Sequence, residues 1–152
     1  MASEIFKVMV KFFDEDNWKY RQLEGKTILQ MGFQGENGSW VCFAQAKDDV
    51  DRMLFFSRLE TNVPANKRAA IAEFLTRANY GLAIGNFELD FNDGEVRYKT
   101  SIDVEGGVLT TGMVKTLVYV NVIMMNKYLP GIMSVAYGDA SPAEAVAKIE
   151  QQ

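Results

Sequence analysis

The side chains that could do chemistry in this chain are few. Histidine is absent and cysteine occurs once, as Cys42, among 152 residues. The missing imidazole removes the usual general base near neutral pH, the commonest metal ligand and every His-dependent triad. One cysteine builds neither an internal disulfide nor a thiolate zinc site. No Lys or Arg adjoins Cys42 in sequence to stabilise a thiolate. Carboxylates remain. Asp48, Asp49 and Asp51 crowd into DDVD, but the run lacks the loop glycine and distal Glu of an EF-hand, so a solvated turn is expected. Asp90-Phe91-Asn92-Asp93-Gly94 fails the same template, because Gly94 stands where an oxygen ligand belongs. Glu105-Gly106-Gly107 precedes a helical stretch and so invites an anion. No Lys or Thr follows in phosphate-loop spacing, however, and Asp103 and Glu105 repel phosphate. Asn79-Tyr80, just before Gly81, suits a helix end better than a pocket wall. No catalytic, cofactor-binding or metal-ligating residue is assigned on these grounds, and no cofactor is expected.

What is left is the chemistry of contact. Met113, Met124, Met125 and Met133 lie on or near one long apolar segment and belong to a total of 8 methionines. Methionine adapts to irregular partners and is over-used on promiscuous binding surfaces, although core packing is its commoner employment. A helix apolar nearly all round needs cover on both sides, and a sheet supplies only one. Met113, Leu117, Val120, Met124, Met125 and Met133 are therefore the candidate surface for a partner. The simplest partner is a second copy of the same chain, giving a homodimer; another protein is the next.

The elements that must present this surface follow from composition and period. Hydrophobic residues make up 48% of the chain and charged ones 24%, which is ordinary for a globular protein. The length suits a single domain over residues 1–152. Twenty acids against sixteen bases leave a net charge of −4, and the basic residues are scattered. A phosphate-neutralising field is missing, so nucleic acid is not an expected partner. The most apolar run, Leu117 to Met125, is interrupted by Asn121 and falls short of the ~18 residues of a spanning helix. No membrane association is expected. The N-terminal stretch is broken by Lys7 and Lys11 and does not read as a signal peptide, which makes the cytoplasm the expected compartment.

Ile5, Val8, Met9, Phe12 and Phe13 recur at helical spacing, with Ser3 placed to cap, and predict a helix over residues 3–14. From Trp18 to Glu60 the period falls to two. Residues 18–23, 27–33, 39–46 and 52–60 read as an antiparallel meander of three or four strands. Pro64 opens a helix that ends near Tyr80 and Gly81. Asp93-Gly94 is a preferred two-residue turn. Placed there, it sets Phe91 opposite Val96, Asp90 opposite Arg97, Leu89 opposite Tyr98 and Glu88 opposite Lys99. One face would collect Phe87, Leu89, Phe91, Val96 and Tyr98. Thr110 or Thr111 then caps a long helix to about Tyr128, which Pro130-Gly131 interrupts, and Ser141-Pro142-Ala143-Glu144 starts a short last one. The fold expected is α+β and two-layered. An antiparallel sheet of five to six strands carries helices on one face, in the order α-β(3-4)-α-β(2)-α.

ANYGLAIGNFELDFNDGEVRYKTSIDVEGG, residues 78–107, followed by an apolar helix, resembles the YbjN domain, a bacterial family described as candidate sensory transduction regulators. Asn79, Gly85, Phe87, Leu89, Asp90, Gly94, Val96 and Arg97 carry the resemblance, with Pro64 ahead of the middle helix. The order of elements agrees over residues 3–138, with an extra early strand candidate at residues 18–23. The resemblance implies a fold similar to the type III secretion chaperones, which are small, acidic, cytoplasmic and usually dimeric. It implies no catalytic residues. A non-enzymatic, cytoplasmic protein-interaction module that self-associates through its long helix is thus the leading expectation. The alternative is a small-molecule sensor or carboxylate-using enzyme, with Trp40, Phe43, Phe55 and Phe56 lining a pocket between sheet and helices.

Overall fold

The computed structural model describes residues 4–151, so Ser3, the expected first cap, lies outside the described residues. Helix α1 (Glu4–Glu15) buries Ile5, Phe6, Met9, Phe12 and Phe13 along one stripe. Strands β1 (Tyr20–Gln22), β2 (Ile28–Gln34), β3 (Ser39–Lys47) and β4 (Arg52–Arg58) follow as a meander. Helix α2 (Arg68–Asn79), strands β5 (Asn86–Leu89) and β6 (Val96–Asp103), and helices α3 (Thr111–Ala136) and α4 (Pro142–Glu150) complete the chain. The strands form one antiparallel sheet in the order β1-β2-β3-β4-β6-β5. This is the expected α+β architecture, with six strands and all helices on one face. The DDVD run is a single tight turn between β3 and β4, with Asp51 in the left-handed region at φ 53.

Side-chain alternation gives the sheet two different faces. Leu29, Met31, Trp40, Cys42, Ala44, Ala46, Met53, Phe55, Phe87, Val96 and Tyr98 point under the helices and are buried. Their neighbours on the same strands, among them Val41, Phe43, Leu54 and Phe56, point away and are half-buried. Trp40 and Phe55 therefore face one way, Phe43 and Phe56 the other. The four aromatics expected to line one pocket are divided by the sheet itself.

Helix α3 lies over β4 and β6 and is flanked by α1, α2 and α4. Thr110 caps it by accepting the Met113 N–H at 3.2 Å. The helix does not stop at Pro130 but runs on to Ala136. Proline costs a helix the hydrogen bond to the carbonyl four residues back, here that of Asn126. The β2–β3 hairpin supplies a substitute: Asn37 Nδ2 donates to the Asn126 carbonyl at 2.8 Å, and Asn37 N–H donates to Asn126 Oδ1 at 2.9 Å. Gly131 serves the same stretch, because a Cβ there would lie 2.5 Å from Ile149 Cδ1 and 2.6 Å from the Phe74 ring. The two residues that read locally as a helix stop instead let α2 and α4 close onto a continuous helix.

The β5–β6 connection also departs from its local signal. Leu89 pairs with Val96, Glu88 with Arg97, Phe87 with Tyr98 and Asn86 with Lys99. The register is two residues off the expected one, and the connection is a six-residue loop, 90–95, rather than a two-residue turn. Asp90 and Asp93 each accept a backbone N–H two residues on, at 2.8 and 2.9 Å. The loop is also tied down from outside: Val63 N–H donates to the Gly94 carbonyl at 2.8 Å, and Arg68 donates to the Phe91 carbonyl at 3.2 Å. A two-residue shift keeps every side chain on its face, so Phe87, Leu89, Val96 and Tyr98 stay inward. Phe91 does not; it is 60% exposed in the loop.

Candidate functional site

The candidate surface is built on α3, a rod roughly 40 Å long at 1.5 Å per residue. Its buried side is spent on the chain's own core: Val114, Leu117, Val118, Val122, Met125, Tyr128, Leu129 and Ile132 are all covered. Two buried polar groups key that side to the sheet. Asn121 Nδ2 donates to the Phe55 and Tyr98 carbonyls at 2.9 and 3.0 Å, and Thr100 Oγ1 donates to the Leu117 carbonyl at 2.8 Å. Asn121 Oδ1 is buried without a partner.

The six sequence-predicted residues separate on this helix. Leu117 and Met125, at 5% and 0% exposure, belong to the core. Met113, Val120 and Met124 remain on one partly exposed stripe. Met133 is half-buried and, roughly five and a half turns beyond Met113, comes round to the other side. Ile123, 54% exposed, joins the stripe and was missed by a reading that attended to methionine. Its signal was the spacing 113, 116, 120, 123, 127, a helical stripe distinct from the buried one. Helix α4 and α1 cover much of the circumference that sequence reasoning left for a second protein. The stripe is what they leave open.

At the α1 end, Asp16 accepts hydrogen bonds from the Tyr119 hydroxyl and from Trp18 Nε1, the latter at 2.8 Å. The Tyr119 and Trp18 donors hold the Asp16 carboxyl below its ordinary value of 3.8, against the opposing effect of burial, with help from Lys115. Burial pushes the Glu88 carboxyl up, but hydrogen bonds from Arg97 and Lys99 outweigh it and keep it below 4.5. The Glu105 N–H and Arg52 lower Asp103. Each of these carboxyls is held toward its anion, the reverse of what a general acid near neutral pH needs. Cys42 is buried and its thiol is pushed up to about 12 by desolvation, beyond the partly opposing Ser57 and Trp40 contacts. A cleft of about 460 Å³ lies between α3, α4 and the β2–β3 hairpin and is lined by Asn37, Lys127, Ser134 and Lys148 among others. Among the described residues no cluster of acids or Cys is placed to hold a metal ion, and no helix is long and apolar enough to cross a membrane.

Asn79 has a role that neither sequence reading anticipated. Its Oδ1 accepts the Phe87 N–H at 2.7 Å and its Nδ2 donates to the Phe87 carbonyl at 3.1 Å. The end of α2 thereby occupies the free edge of β5 much as another strand would, which protects that edge from pairing with a second chain.

The family model for YbjN, described as "Putative bacterial sensory transduction regulator", matches residues 7–132. The chain belongs to the YbjN family. Among solved structures, it is similar to YbjN of E. coli, described as "a putative transcription regulator", with 13% identity and a TM-score of 0.63. That match covers 80% of this chain and 85% of the other. It is also similar to a chain of the HopA1–SchA chaperone–effector complex, with 15% identity, a TM-score of 0.52, and coverage of 80% and 91%. At such identities the likeness is one of fold, and the fold is that of a type III chaperone-like protein. No curated protein matches the chain.

Proposed function

We propose that this YbjN-family chain is a non-enzymatic protein-interaction module of the cytoplasm, homodimeric through α3 and able to hold other polypeptides. The observation that carries the reading is the stripe of Met113, Val120, Ile123 and Met124, partly exposed on a helix whose buried side is packed into the core. An apolar stripe on a rigid helix is the usual form of a helix-mediated contact. The likeness to a chain of a chaperone–effector complex supports a polypeptide as partner. The lowered carboxyls and the inert Cys42 give no support to the sensor-or-enzyme alternative, whose pocket aromatics fall on opposite faces of the sheet.

Sedimentation equilibrium tests it directly. The wild type should be a dimer, and Val120→Asp or Ile123→Asp should give a monomer with an unchanged circular dichroism spectrum. The dimer's dissociation constant should rise at least about thirtyfold, the effect of losing one central apolar contact. A wild type that stays monomeric at high concentration, or folded variants that stay dimeric, would remove α3 from the reading.

A further inference from the structure

The open face of the sheet carries a charge pattern opposite to that of the chain. Within the six strands it presents Arg21, Lys47, Arg52, Arg58, Arg97 and Lys99 against Glu88 and Asp103. That is six of the chain's sixteen bases but two of its twenty acids. Glu88 is shared between Arg97 at 2.7 Å and Lys99 at 3.2 Å, and Asp103 serves Arg52 at 2.9 Å. Arg58 reaches only Glu95 of the β5–β6 loop, at 3.8 Å. Arg21 and Lys47 have no ion pair among the described residues.

Arg58 and Arg97 stand where folding alone would not put them. They are direct cross-strand partners, and like charges directly opposite weaken a sheet. Each lies over a ring of the adjacent strand. Arg58 Cζ is 5.1 Å from the Phe43 centroid and Arg97 Cζ is 4.4 Å from that of Phe56. Phe43 and Phe56 are themselves opposed across β3 and β4. Stacking holds the two guanidiniums down on the face, and their side chains stay 41% and 39% exposed. Next to them is a cleft of about 270 Å³ floored by Leu23, Ile28, Phe43 and Phe56 and edged by Arg58 and Arg97, with Glu95 at its rim.

We propose that this face binds an acidic segment of polypeptide, seating one apolar side chain in the cleft and its neighbouring carboxylates on the forks of Arg58 and Arg97. The inference rests on the reading of the chain as a polypeptide-binding module, but it uses none of the α3 stripe. Guanidinium matches carboxylate in a planar, two-point geometry, and the cleft is below the size of ordinary small-molecule sites. A nucleic acid fits less well. The two rings are capped by arginines and not free to stack bases.

Fluorescence anisotropy on the full chain would use a labelled peptide of alternating Glu and Leu, its Lys–Leu counterpart, and a labelled oligouridylate. The acidic peptide should bind saturably, more weakly as salt is raised. Arg58→Gln and Arg97→Gln should each weaken it about tenfold or more, one charged hydrogen bond's share. Arg58→Lys keeps the charge and loses the fork, so it should fall between. It also leaves the Arg97–Glu88 pair intact should Arg97→Gln fail to fold. Absent binding, equal binding by the Arg58 and Arg97 variants, or preference for the Lys–Leu peptide or oligouridylate would each overturn the proposal. Repeating the titration with Ile123→Asp separates the two readings. Peptide binding by a monomer would uphold this face without the α3 contact, and a wild-type dimer that ignores the peptide would sink this proposal alone.

Discussion

Phe55 and Phe56 are neighbours in β4 and sit in different surroundings. Phe55 is fully buried, stacked 6.2 Å from Phe13 of α1, and its carbonyl receives the Asn121 amide. Phe56 lies half-buried under Arg97, with Phe43 opposite. On the covered face shape decides what is allowed: large side chains interlock, and the polar exceptions are keyed to named partners, as Trp40 Nε1 is to Ser57 Oγ at 2.9 Å. On the open face charge decides, and the packing is a thin layer of guanidinium on ring. One strand therefore serves stability with alternate residues and leaves the others available for recognition.

The sharpest way to break that contrast is to truncate both rings. Phe55→Ala should cost about 3–5 kcal/mol in urea unfolding, since it opens a cavity in a fully packed core. Phe56→Ala should cost only about 1 kcal/mol, losing one partly exposed cation–π contact and some area. If the two cost the same, the open face is covered in solution and the division of labour fails. Gly131→Ala comes next. Its Cβ would meet the Phe74 ring at 2.6 Å, so overpacking should outweigh the helix-forming advantage of alanine and leave a loss of about 1–2 kcal/mol. An unchanged midpoint would show that α2 and α4 sit more loosely than the covered face requires.

The layers were legible in the sequence where local pattern and tertiary need coincide. The Ile5–Phe13 stripe, the strand alternation and the Ser141 cap, whose Oγ accepts the Glu144 N–H at 3.3 Å, all formed as the residues predict. Legibility failed where a distant contact overrides a local signal. Asp93-Gly94 asks for a two-residue turn, but Val63 and Arg68, far off in sequence, hold the loop open. Pro130 asks for a helix end, and Asn37 from another hairpin removes the penalty. The candidate site suffered differently. In Trp40-Val41-Cys42-Phe43-Ala44 every residue is apolar, so alternation cannot say which face the helices cover. The methionines drew attention to α3, yet hydrophobicity alone could not separate Met125 in the core from Ile123 at the surface.

The repair at Pro130 tests whether the covered face depends on the loops around it. Asn37→Ala removes the side-chain hydrogen bond to the Asn126 carbonyl, keeps the backbone one to Asn126 Oδ1, and should cost about 1 kcal/mol, because water can reach part of this exposed site. Pro130→Ala restores an N–H able to satisfy the Asn126 carbonyl from within the helix. In that background Asn37→Ala should cost about half as much, and a double-mutant cycle measures the difference. Strictly additive effects would mean that the carbonyl was never short of a partner.

The smallest effect belongs to the rim where the two surroundings meet. Asp16 is held below its ordinary value chiefly by the Tyr119 hydroxyl, then by Trp18. A carboxyl depressed in the folded state adds stability above its unfolded pKa and loses it as pH falls through the folded value. Tyr119→Phe removes the largest of the causes. The variant should therefore be less stable than the wild type at neutral pH, by less than about 1 kcal/mol given how open the site is to solvent. On acidification the gap should close, because below the folded pKa of Asp16 the carboxyl is protonated in both proteins. A gap that persisted to the acid limit would mean that Tyr119 works by packing against Trp18, 6.4 Å away between ring centres. The rim would then obey shape, as the covered face does, rather than charge.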